Sequence, residues 1–149
     1  MKRAGIILAL IAIAGSATAI EIDDTLYALG SVGLSNIYTT YLVVGAVADG
    51  FAAGVYPLNT AADILRETAS LNESSREALS DMLDSGGFTA EDESVLSDME
   101  EAHRRIGLQI SALENYVYGS GGSDIYRRRR DESWSLIRSL IGNPASGGA

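Results

Sequence analysis

The sequence predicts an all-α protein: an up-down-up-down four-helix bundle, irregular because its first helix is long, behind an N-terminal signal peptide. Three observations carry that expectation. Beyond residue 19 the apolar residues recur at three and four, the helical period, and no stretch alternates at strand spacing. Proline and glycine punctuate the chain at Pro57, Gly86-Gly87 and Gly119 to Gly122, which leaves four long segments with short breaks. Short breaks between long helices make neighbours antiparallel.

The chain opens with Lys2 and Arg3, then an apolar run from Ala4 to Ala14, then Gly15-Ser16-Ala17-Thr18-Ala19. A positive start, an apolar core and small residues at the end are the three parts of a secretory signal, with cleavage expected after Ala19. An uncleaved anchor is the alternative, since the apolar run lies near the short limit for crossing a bilayer. Residues 1–19 are therefore set aside. Residues 20–143 are expected to be the bundle domain, and 144–149 a disordered tail.

The first helix is expected from about Asp24 to Tyr56. Asp23 and Asp24 suit its amino end, and Pro57 forces the preceding residue out of helical geometry. No charge occurs from Thr25 to Ala48, so this helix should be touched on several sides. The second helix is expected from Asn59, as its cap, to about Asp84. Ser74-Ser75-Arg76-Glu77 has the form of a capping box, which predicts a break or kink near Asn72. The third opens at Thr89 with Asp92 as its box partner. Val95, Met99, Ala102, Ile106, Ile110 (or Gln109), Leu113 and Val117 form its inner stripe at near-heptad spacing. The fourth runs from Ser123 to Ile141 on Ile125, Leu136, Ile137, Leu140 and Ile141. Gly142 and Pro144 stand where a helix stops.

Composition limits the function classes. There is no cysteine, which removes disulfides, thiolate metal sites and covalent haem attachment. The chain carries 11 basic and 20 acidic residues; without Lys2 and Arg3 the balance is 9 against 20, a net of −11, and every remaining basic residue is Arg. Such a chain is repelled by nucleic acid and by anionic membrane surfaces. No phosphate loop, zinc-protease motif or nucleophile elbow is present, and a single histidine gives a catalytic triad little to draw on.

Four features remain as candidate sites. Ala46, Gly50 and Gly54 form a small-residue stripe on the first helix, fit for a close helix crossing or a dimer face. Asn36, Tyr38, Thr39, Thr40 and Tyr41 make a polar-aromatic band, either a hydrogen-bonded core layer or the lining of a ligand pocket. Asp49, alone in its charge-free surroundings, needs a partner such as Arg66 or Arg105, or would meet a ligand. Arg127, Arg128, Arg129 and Arg130, with Trp134 at cation–π spacing, make an ion-paired face or a docking patch. Glu100 and His103 stand at the Glu-x-x-His spacing of di-iron bundles, but one copy is half a site, so an exposed helix face without metal is expected there.

These observations favour an exported, non-enzymatic bundle with a structural or interaction role in the cell envelope or periplasm. The alternative is a small ligand-binding or sensor-like module with its pocket at Asn36–Tyr41. No cofactor is expected. The partner would be another protein or a second copy, with no nucleic acid and only transient membrane contact through the signal peptide.

Overall fold

The computed structural model describes residues 19–142, with side chains from Tyr27 onward. The expected signal peptide, save Ala19, and the expected tail lie outside the described residues. Four helices follow one another: α1 (Ala19–Ala52), α2 (Leu58–Ser85), α3 (Ala90–Val117) and α4 (Ser123–Gly142). Two compact units divide the chain, residues 1–32 and 33–149, and α1 passes from the first into the second. In the first unit Tyr27, Ala28, Leu29, Ser31 and Val32 are exposed.

The second unit is the four-helix bundle, and side-chain contacts give its directions. Gly33 lies against Met99, and the ring of Phe51 meets Tyr116 edge-on at 5.8 Å, so α1 and α3 run parallel. Asn72 pairs with His103 and Arg76 with Glu100, which makes α2 antiparallel to α3. Tyr41 stacks on Trp134 at 5.4 Å while Asp49 faces Arg130 at 4.0 Å, which makes α4 antiparallel to α1. The result is the expected up-down-up-down order. Helix α3 is the central element, with Met99, Ala102, Ile106, Ile110, Leu113 and Val117 buried along one stripe. Ile37, Val44 and Val47 of α1, Leu65 of α2 and Ile137 of α4 close on it.

Several boundaries differ from the sequence reading, each for a local reason. Helix α1 stops at Ala52, not Tyr56. Gly54 takes a φ of +70°, and the N–H groups of Gly54 and Val55 donate back to the carbonyls of Phe51 and Gly50. These paired bonds satisfy two carbonyls the helix would leave bare, and only glycine adopts that conformation without strain. The same arrangement closes α3, where Gly119 has a φ of +72° and Ser120 donates to Asn115. Asp23 and Asp24 lie inside α1 rather than capping it. Pro57, not Asn59, stands at the cap of α2. That helix runs unbroken through Asn72, and Ser75 donates to Leu71 one turn back instead of starting a new helix. The third start is as expected: Thr89 accepts from the Asp92 N–H at 3.2 Å and donates to its carboxylate at 2.7 Å. On α4 the buried positions are Tyr126, Ser133 and Ile137, while Ile125 and Ile141 are exposed.

Candidate functional site

The most polar part of the interior lies between α2 and α3. His103 follows Met99 by four and precedes Ile106 by three, so helical geometry turns it inward, and it is only 1% exposed. The expected exposed face around His103 is therefore corrected: the ring is in the core. Asn72 meets it from α2 and makes two bonds. Its amide Nδ2 donates to the His103 backbone carbonyl at 2.9 Å, and its Oδ1 lies 2.9 Å from His103 Nδ1. The carbonyl fixes which end of the amide is which, because a carbonyl oxygen accepts and cannot face another acceptor. Oδ1 must then receive a proton from Nδ1. The imidazole is the Nδ1–H tautomer, and Nε2 keeps its lone pair. Burial pushes the His103 pKa down to about 4, so the ring is neutral near pH 7.

Charged side chains fence this position. Arg76 bonds to Glu73 at 2.6 Å and to Glu100 at 3.1 Å. Arg104 bonds to Glu101 at 2.5 Å, and Arg105 reaches the same carboxylate at 2.8 Å. Two guanidinium groups hold the Glu101 carboxyl down to about 2. Glu100 thus serves Arg76 rather than His103. Among the described residues no group of three His, Cys, Asp or Glu side chains converges as a metal site would need.

A second polar cluster joins α1, α3 and α4. Arg130 extends over Gly45, and the Tyr41 hydroxyl beside it raises its pKa. Asp49 faces Arg130, not Arg66 or Arg105: Arg66 is taken by Asp63 and Arg105 by Glu101. Deeper in, Gln109 is fully buried, and among the described residues neither its amide nitrogen nor its oxygen has a hydrogen-bond partner; the Tyr126 hydroxyl lacks one there too. Burial pushes the Tyr126 hydroxyl up, with Arg130 and the nearby Gln109 amide drawing it partly back. Proximity polarises these groups without good bonding geometry.

No family model, curated protein or solved structure matches this chain.

The remaining candidate residues are distributed as follows. Tyr41 is buried, whereas Asn36, Tyr38 and Thr39 are exposed, and Thr40 donates back to the Asn36 carbonyl at 2.8 Å. Two hollows stand out among the described residues, the first beside the Trp134 ring that meets Tyr38 and Tyr41 of that band. One, of about 520 Å³, is an open hollow along α4 at Trp134 and Arg138; the other, of about 320 Å³, lies over His103. The arginine run divides by helical direction: Arg127 and Arg128 face solvent, Arg129 bonds to Glu132 at 2.7 Å, and Arg130 turns toward α1. Trp134 gives its face to Tyr41 rather than standing among the arginines.

The small-residue stripe does not form one. Ala46 is exposed, Gly54 lies beyond the helix end with open space around it, and Gly50 accommodates the ring of Tyr56 from its own following loop. The glycines of α1 that lie against another helix are Gly33, which meets Met99 of α3, and Gly45, under Arg130 of α4.

Helix α1 also has an outward side. Its stretch Tyr27–Ala52 is long and apolar enough to cross a membrane by length and composition, with a mean hydropathy of 1.3 and 33% of it buried inside the protein. Within the bundle unit Leu42 is 49% exposed and Val43 36%, with Ser35, Thr39 and Ala46 exposed beside them.

Proposed function

We propose that this chain is an exported, non-enzymatic helical bundle that works by protein association in the cell envelope, through the outward side of α1. The observation that carries the reading is the asymmetry of that helix. Its inner side, with Ile37 and Val44, is buried against protein. Its outer side presents Leu42 and Val43 without a charge from Thr25 to Ala48. The solvent faces of α2, α3 and α4 are charged instead, with Asp63, Glu67, Glu77, Asp98, Arg127 and Arg128 exposed. An uncharged strip on an acidic protein is where two such proteins meet with least repulsion. A second copy is the occupant this favours, because copies that carry a net charge of −11 without Lys2 and Arg3 repel one another overall, and least along an uncharged strip. Export rests on the three-part amino terminus. Against catalysis stands the neutral, buried His103, whose Nδ1–H is held by Asn72.

Sedimentation velocity tests the reading. The exported chain should self-associate reversibly, and Leu42→Glu should leave a folded monomer, since a charge at an exposed position disturbs the interface and not the core. A wild type that stays monomeric at every concentration, or a Leu42→Glu chain that associates as well, would overturn it.

A further inference from the structure

We propose that the cavity over His103, between α2 and α3, binds a small uncharged molecule that carries a hydroxyl or ring N–H donor on an apolar body. The floor sets the first requirement. With Nδ1–H committed to Asn72, Nε2 is a lone-pair acceptor. Among the described residues it has no hydrogen-bond partner, yet it is not one of the sealed polar atoms of the interior, and its ring lines the cavity. An acceptor that opens on a hollow calls for a donor.

The walls set the second requirement. Ala69, Gly107 and Leu108 line the space, which at about 320 Å³ stands at the small end of ligand pockets. Gly107 is the telling residue. It sits one turn beyond His103 in the middle of α3, where glycine is a poor helix former. Packing does not demand it: a Cβ there would come no nearer than 3.5 Å to Asn72, an ordinary contact. Its effect is to keep the hollow open above the imidazole.

The rim sets the third. Arg76 and Arg104 are already bonded to Glu73, Glu100 and Glu101. An anion would have to displace those carboxylates, and a cation would have to stand beside both guanidinium groups and compete with them for the same carboxylates. The uncharged molecule is the one that fits all three conditions. This site is separate from the outward side of α1, so it stands or falls independently of the association reading.

The single histidine makes the test direct. Long-range proton–nitrogen spectra of untagged, ¹⁵N-labelled protein at pH 7 report each ring nitrogen of His103 by itself. Phenol is the probe, and anisole, the same ring with no donor, is the control. We expect Nδ1 to be the protonated nitrogen and phenol to move Nε2 saturably toward a hydrogen-bonded value, with anisole leaving it in place. Gly107→Ala should fold with a raised Tm and show a weaker saturable shift, because its methyl group narrows the hollow beside Asn72. A protonated Nε2 in the free protein, a shift that only grows linearly with phenol, equal shifts from phenol and anisole, or full binding by Gly107→Ala would each overturn the proposal.

Discussion

Lowering the pH from 7 to 5 should remove about 2 kcal/mol of folding free energy, with His103 as the cause. The group titrates near 6.5 in the unfolded chain and near 4 in the folded one, because burial disfavours the imidazolium. Between those values the unfolded chain binds the proton and the folded chain does not. The contribution is therefore complete above pH 6.5 and is lost as the pH falls toward 4. Linkage between these two pKa values gives a loss of about 2 kcal/mol at pH 5 and about 3 kcal/mol at pH 4. The carboxylates act in a lower window. Glu101 is held at about 2, and Glu73 and Glu132 are lowered by Arg76 and Arg129, so their contributions begin to fade only as the pH falls below about 4.5. Between pH 6.5 and 5 the slope belongs to His103. Urea unfolding followed by the fluorescence of Trp134, the only tryptophan, measures it. His103→Gln should be less stable at pH 7 and should flatten the profile over that interval. A wild-type stability that does not change from pH 7 to 5, or a slope that survives in His103→Gln, would refute the reasoning.

Three further substitutions test the packing account by thermal or urea unfolding. Gly54→Ala and Gly54→Leu should each cost about 1–2 kcal/mol, and nearly the same amount, because the left-handed backbone is the penalty and nothing lies within 4 Å to be crowded; a much larger loss for Leu would mean that the site is packed. Thr89→Ala should cost about 1 kcal/mol through loss of the α3 cap, and an unchanged Tm would contradict the Thr89–Asp92 bonds. Gln109→Leu should stabilise the protein by about 1 kcal/mol or more, since it removes two buried polar atoms that have no partners; a loss of stability would mean that Gln109 is satisfied.

Helix number and order were legible in the sequence because they follow from one repeated spacing, whereas the expected stripe of the fourth helix was not, with Ile125 and Ile141 exposed. The third helix is the clearest case: Thr89 with Asp92, then Met99 to Val117, is a cap followed by a stripe, and both form. What escaped was decided by contacts between segments. Asn72 and His103 each lie on an inner stripe, at 65–68–72–79 and 99–103–106–110, so both should have been placed inside. Polarity argued otherwise, and only the pairing of one with the other makes two such residues acceptable in a core. The Ser74-Ser75-Arg76-Glu77 box instead predicts a kink near Asn72, and the single Glu-x-x-His copy an exposed His103. Gln109 carried the same signal. Gly54 was misplaced because small residues in a stripe look alike whether they permit a close crossing or a left-handed turn; the proline three residues later favours the turn. The partner of Asp49 depends on which face of α4 meets α1, which no local pattern encodes.

Native mass spectrometry of the protein recovered from its own host tests the central claim most directly, because chain start, assembly and retained molecules are read from the same ions. The account predicts a soluble exported species built from chains that begin at Ile20, assembled as pairs that separate on dilution. A chain that keeps Met1 or Lys2 in the membrane fraction, or an exported chain that is monomeric throughout, would contradict it.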